Sequence, residues 1–324
     1  MQAYTQLLSP RALLALLAPI FLLSACKKDK EKEDPFADED ERVRLEAYQE
    51  THYKGKATDL GEGAFSVSLK EGDGQAIGAE GWLLFDYVAK DLDGHLLATS
   101  LRDTAKQHGM YKPTEPYQPA FRPIKGNLFF SALQGQKVGA EVLLATPSYV
   151  EYPKDLWRAP QHRSVLCTLI PRELVADPIA REKKLIEEYI AQHPEQEYQQ
   201  VGNSYYRWIE TEGQGAEVGP EYTSFVFYEG YLLNGFLIDT NSRELAMQHG
   251  IPVAAAGAAL KLDYLTEKNL IPLFRGIAQG LKIGTVFHVI APSPLAYGEG
   301  GGKAVQPYTP LHYRVSLTNA LPPQ

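Results

Sequence analysis

Asp239 is a carboxylate set in apolar text, Phe236-Leu237-Ile238-Asp239. A charge in such surroundings is costly unless it is paired and hydrogen-bonded, so its neighbours must supply a partner. Other patterns that could carry chemistry fail by their own requirements. The run from Gly298 to Ala304 looks phosphate-binding at a glance, but Tyr297 stands where a phosphate loop needs its first glycine. Ala304 likewise replaces the Ser or Thr that would hold magnesium. There is no Cys-x-x-Cys, no His-Glu-x-x-His and no Gly-x-Ser-x-Gly. The 8 histidines make no ligand spacing, and His108 and His249 are expected to cap or hydrogen-bond locally. Cys167, within Ser164-Val165-Leu166-Cys167, reads as a small buried residue rather than a nucleophile. No metal and no cofactor is expected.

The elements that must position Asp239 belong to a repeat. Residues 240–250, TNSRELAMQHG, echo residues 99–109, TSLRDTAKQHG, and 141 residues separate His108 from His249. The same offset aligns Glu46, Tyr48 and His52 with Glu187, Tyr189 and His193, and Tyr87 with Tyr228. Past the Gln-His-Gly the offset is 145, which aligns Gly139 with Gly284, Pro147 with Pro292 and Tyr152 with Tyr297. That period is far too long for a solenoid, so a whole domain is duplicated. Ala98 falls where Asp239 stands.

Each copy opens with a helical lead. In the second, Asp177 can cap, Pro178 suits the first turn, and Ile179, Ile186 and Ile190 share a side. In the first, the lead is a weaker run around Val43, Ala47 and Tyr48. Strands follow in GWLLFDYVAKDL and YTSFVFYEGYLL, with Asp93-Gly94 and Asn234-Gly235 as reversals. Leu270, Phe274, Ile277 and Leu281 recur at helical spacing and predict a short helix, weakened by Gly276 and Gly280. The last strand alternates Leu311, Tyr313, Val315 and Leu317 on one face. Strands with one short helix and no βαβ alternation predict an α+β fold on antiparallel sheets.

The length of 324 residues suits two domains, and a net charge of −8 with no basic stripe argues against nucleic acid as a partner. The apolar run Ala12–Leu23 behind Arg11 reads as a secretory signal. Leu23-Ser24-Ala25-Cys26 resembles a bacterial lipobox, which implies cleavage before Cys26, lipidation there and a membrane anchor. The charged stretch that follows is expected to stay solvated as a tether. Its Lys-rich and acid-rich text also resembles surface-export signals of some Bacteroidetes lipoproteins. The expected layout is a leader over 1–25, a tether over 26–42, a degenerate domain over 43–172, a helical linker over 173–200 and the chemical domain over 201–324.

The second copy resembles FKBP-type peptidyl-prolyl cis-trans isomerases. The residues that carry this are VFYEGYLLNGFLIDTN (226–241), LIPLFRGIAQGLKIG (270–284), IAPSPLAYGEGGG (290–302) and TPLHYRVSL (309–317). The resemblance implies two tandem FKBP-like domains, each a curved antiparallel sheet around one short helix. It implies proline-containing polypeptides as partners, acted on without a covalent intermediate during the folding of exported proteins in the envelope. A second implied reading is a non-catalytic FKBP-fold binding module in an envelope assembly.

The same resemblance assigns roles. Tyr228, Phe274 and Tyr313 become aromatic walls and floor, and Ile238, Leu270 and Ile271 aliphatic walls. The Ile271 N–H meets the substrate carbonyl, Tyr297 offers its hydroxyl, and Asp239 sits at the pocket edge. Three positions depart from the family: Ile238 and Tyr313 replace its usual Phe, and Phe274 its usual Trp. The first copy keeps Tyr87 but has Ala98, and Cys167 near the Tyr313 position, so it is expected to be weak or inactive.

Overall fold

The computed structural model describes residues 37–125, 128–150, 156, 160–202, 204–252, 257–263, 270–302 and 304–322. The leader, Cys26, the tether as far as residue 36, and Tyr152 lie outside the described residues.

The first repeat runs α1 (Ala37–His52), β1 (Thr58–Gly61), β2 (Ala64–Lys70), β3 (Trp82–Asp91), β4 (Leu96–Thr99), α2 (Arg102–Gln107), β5 (Ala120–Pro123), α3 (Leu128–Ser131), β6 (Glu141–Thr146) and β7 (Val165–Val175). The second runs α4 (Pro178–Gln192), β8 (Gln199–Val201), β9 (Tyr205–Thr211), β10 (Thr223–Leu232), β11 (Leu237–Thr240), α5 (Arg243–His249), β12 (Leu260–Leu262), β13 (Val286–Ala291) and β14 (Leu311–Leu321). Their sheets have one topology: β1-β2-β6-β7-β3-β4 with β5 on β3, and β8-β9-β13-β14-β10-β11 with β12 on β10. The strand pairings are antiparallel. The chain is thus α+β, with two antiparallel sheets and few helices, as its strand-rich patterning predicts.

Local chemistry explains the main elements. Gly94 and Gly235 take φ of 83° and 82°, a conformation that costs glycine nothing, and reverse β3 into β4 and β10 into β11. On β14, Leu311, Tyr313, Val315 and Leu317 are all buried, so the strict alternation gives one face to the core.

The helix predicted over 270–284 forms only a single 3₁₀ turn, Pro272–Phe274. Gly276 and Gly280 adopt left-handed φ of 75° and 72°, which ends helical propagation, although Ile277 and Leu281 still reach the core.

The leads dock differently from the apolar reading. Ile179 and Val43 are exposed, and the buried faces are Glu182 with Ile186 and Glu41 with Leu45. Each buried carboxylate is satisfied by the opposing loop. Glu41 accepts from the Ser148 N–H (2.6 Å) and hydroxyl (2.7 Å) and from the Ser164 hydroxyl (3.1 Å). Glu182 accepts from the Ser293 N–H and hydroxyl. These bonds offset the desolvation that otherwise keeps carboxylates out of an interface. The expected tether through residue 42 is therefore corrected: from Ala37 the chain is helical, because Glu41 anchors it to the first sheet.

Asp38–Gln324 form one body. Arg122 Nη1 and the Phe121 N–H both donate to Gln306 Oε1, at 2.6 and 3.2 Å. Gln118 donates to the Ala304 carbonyl (3.3 Å), and Trp82 meets Tyr308 edge-on at 5.0 Å.

Candidate functional site

Asp239 lies on β11, directly across from Gly230 of β10. Its partner is Tyr228, whose hydroxyl donates to Asp239 Oδ2 at 2.8 Å. This is the hydrogen bond that the apolar setting of the carboxylate demands. The Tyr228 ring stands 5.4 Å from Phe274 and 6.3 Å from Tyr313, and Phe274 meets Tyr313 edge-on at 5.4 Å. Phe274 and Tyr313 are 5% and 2% exposed, so they form a floor continuous with the core. Ile238, Leu270 and Ile271 are half-buried against the same apolar cluster. The Ile271 carbonyl accepts from the Phe274 N–H, which fixes the turn carrying both residues. Tyr297, in the loop before β14, is 37% exposed.

Burial, then the Asp239 charge and its hydrogen bond, push the Tyr228 hydroxyl well above its ordinary range. Burial also raises Tyr313, with Tyr297, Asp239 and Tyr228 adding to the effect. Burial raises Tyr297 too, with the Asp239 charge adding to it. The tyrosines therefore stay protonated, and Tyr228 is the one that donates to the carboxylate. The structure brings Tyr228, Asp239, Phe274 and Tyr313 into one cluster bordered by Ile238, Leu270 and Ile271, with Tyr297 at its electrostatic edge.

Two residues of this site escape sequence reasoning. Asn241 is buried; its Oδ1 accepts the Tyr228 N–H (2.7 Å) and its Nδ2 donates to the Val226 and Ala258 carbonyls (3.0 and 3.1 Å). It locks the end of β11 to β10, and a polar residue two places after Asp239 was the available signal. Gly230 lies under the Tyr313 ring, and a Cβ there would fall 2.7 Å from Tyr313 Cε1.

The first repeat copies the frame and omits the chemistry. Ala98 pairs with Ala89 as Asp239 pairs with Gly230. Cys167 pairs with Ala89 as Tyr313 pairs with Gly230, so a small side chain faces Ala and a large ring faces Gly. Cys167 is buried, which pushes its thiol far up and leaves it un-ionised. Thr99 and Ser100 hold Tyr87 as Thr240 and Asn241 hold Tyr228. Without an aspartate at position 98, the Tyr87 hydroxyl reaches the Leu156 carbonyl at 3.4 Å.

The exposed side of Ile238 and Asp239 opens into a cleft of about 1030 Å³ between the repeats. Thr99, Thr114, Tyr117 and Tyr87 line it from the first repeat, and Phe236, Val305 and Pro307 from the second.

No family model matches the chain, and no curated protein matches it. Among solved structures, it is similar to the three FKBP domains of wheat FKBP73, at 18% identity over 82% of this chain and 98% of that one, with a TM-score of 0.32. It is similar to a peptidyl-prolyl cis-trans isomerase of Pseudomonas syringae pv. tomato, at 18% identity over 45% of this chain and 98% of that one, TM-score 0.35. FkpA from Escherichia coli matches at 21% identity over 44% of this chain and 61% of that one, TM-score 0.34.

Proposed function

We propose that the chain is an FKBP-type peptidyl-prolyl cis-trans isomerase whose second repeat is active. The observation that carries this reading is the 2.8 Å Tyr228–Asp239 bond set over the Phe274–Tyr313 floor. Rotation of an X-Pro amide meets a barrier of roughly 18–20 kcal/mol because resonance gives the C–N bond double-bond character. That resonance form is charge-separated, so an apolar, water-poor wall disfavours it and favours the twisted amide. Phe274 and Tyr313 supply the floor for the proline ring, and Ile238, Leu270 and Ile271 its aliphatic sides. The Ile271 N–H receives the substrate carbonyl, and Tyr297 donates to the peptide from the exposed rim. Asp239, held by Tyr228, faces the rotating amide carbonyl. No bond to carbon is made or broken, so neither nucleophile nor cofactor is needed.

The partners in this reading are proline-containing polypeptides. The Cys26 lipid anchor would hold the protein in the bacterial envelope, at the outer membrane facing periplasm or cell surface, to assist folding of exported proteins. A second reading, a non-catalytic binding module, draws on the first repeat, where Ala98 and Cys167 leave the frame without its carboxylate and floor ring.

The test is isomerisation of a proline tetrapeptide by the full chain. Acceleration that disappears in Asp239→Ala combined with Tyr297→Phe supports catalysis; no acceleration by wild type, or an unchanged rate in the double variant, sinks it. Loss of membrane fractionation in Cys26→Ser tests the anchor.

A further inference from the structure

The cleft beside Asp239 is larger than a proline ring requires. Its volume of about 1030 Å³ lies at the upper end of the roughly 300–1,000 Å³ typical of small-molecule pockets. Its walls come from different repeats. One side is Tyr87 together with Thr114 and Tyr117, which lie within the proline-rich segment before β5. The other is Ile238 and Asp239 on β11, with Val305 in the loop that follows Tyr297. At one end the walls converge, since Thr114 Cγ2 would stand 3.4 Å from a Cβ on Gly250.

Two features bear on the occupant. β4 and β11 end their sheets among the described residues, and both border the cleft through Thr99 and through Ile238 and Asp239. A terminal strand leaves one side of its backbone N–H and C=O groups open, and such an edge takes an extended peptide as a further strand. The cleft is also held in shape from the first repeat. The loop carrying Val305 is fixed by Gln306, which Arg122 and the Phe121 N–H grip, and by Tyr308 against Trp82.

We propose that this cleft is a binding site for an extended segment of unfolded polypeptide, gripped by both repeats, with its proline delivered to the Asp239 end. The inference rests on the isomerase reading for the fate of that proline, but binding is separable from it. Residues of both repeats line the cleft, so the substrate is recognised well beyond the X-Pro dipeptide. Its apolar side chains lie against Tyr87, Tyr117, Ile238 and Val305. The repeat that lost its own carboxylate thereby becomes the second jaw of its neighbour's site.

The probe is a reduced, carboxymethylated, proline-containing polypeptide carrying a fluorophore, bound to the full chain. Thr114 is exposed, so Thr114→Trp fills the cleft without disturbing a core. It is expected to weaken binding about tenfold. Benzoylphenylalanine placed at residue 114 in one variant and at residue 304 in another is expected to cross-link the probe from both walls. Wild-type affinity in Thr114→Trp, or cross-linking from residue 304 alone, overturns the proposal. Tetrapeptide isomerisation by wild type reports separately on the catalytic reading: activity without cross-linking at residue 114 removes only the jaw, and cross-linking at both residues without activity removes only the catalysis.

Discussion

At the scale of single residues, the site is one carboxylate and the group that satisfies it. Tyr228→Phe removes the 2.8 Å donor and leaves the half-buried Asp239 charge unpaired. A hydrogen bond to a charged group contributes about 1.5–3 kcal/mol, so the variant is expected to lose stability of that order in urea denaturation. Asp239→Ala removes the charge that the proposed isomerase reading sets at the amide and is expected to lower kcat/KM for the tetrapeptide by about tenfold or more, a loss of transition-state stabilisation of about 1.4 kcal/mol. Gly230→Ala tests the floor. Its Cβ would meet Tyr313 Cε1 at 2.7 Å, and overpacking of this kind costs about 1–3 kcal/mol, so a lower melting temperature with reduced activity is expected. A neutral Gly230→Ala would mean that the Tyr313 ring moves freely.

At the scale of elements, the helical leads are parts of the domains they precede. Glu182→Ala leaves the Ser293 N–H and hydroxyl without their acceptor, and the cost of a buried unsatisfied group is about 1–3 kcal/mol. Hydrogen exchange is expected to show α4 losing protection first.

The face of the second sheet that α4 covers also carries a titratable cluster. His288 Nδ1 and His312 Nε2 are 2.8 Å apart, and His288 Nε2 contacts Glu210 at 2.9 Å. Arg314 pairs with Glu210 and Glu229, while Tyr189 and Tyr198 stand over His312, and His193, which caps the end of α4, adds its charge. Burial first, then the charges of His288 and His193, bring His312 down to about 4; burial lowers His288 too. Both folded values lie below the ordinary 6.5, so the unfolded chain binds more protons as pH falls. The contribution of these two histidines to stability is full above about pH 6.5 and is lost towards pH 4, by on the order of 3 kcal/mol for His312. Urea midpoints measured across that window are expected to fall, and to fall less steeply in His312→Phe.

At the scale of the whole molecule, the repeats are joined through polar contacts at the rim of the candidate site. Arg122 and Gln306 are expected to couple by about 1 kcal/mol in a double-mutant cycle read by thermal unfolding, as contacting residues do. Additive effects would show that the two repeats unfold without regard to one another. The preserved frame of the first repeat makes sense at this scale: its β4, β5 and proline-rich segment present surfaces to the second repeat, which needs the fold and not the carboxylate.

The sequence by itself determined the duplication, its offsets and the antiparallel α+β class, because strand alternation and Asn-Gly or Asp-Gly turns are local signals. It also placed Ala98 under Asp239, since register follows from position once a repeat is aligned, but it put Cys167 only near Tyr313, because the 145 offset points one residue earlier, to His312, and the strand pairing supplies the last step. The tertiary structure decided what local signals cannot hold. Gly276 and Gly280 took left-handed backbone and cut a predicted helix to one turn. Glu41 and Glu182, which look like solvent residues, became buried anchors because Ser148 and Ser293 arrive from over a hundred residues away. The cleft beside Asp239 exists only because a loop of one repeat packs on a strand of the other, a long-range juxtaposition that no pattern along the chain records.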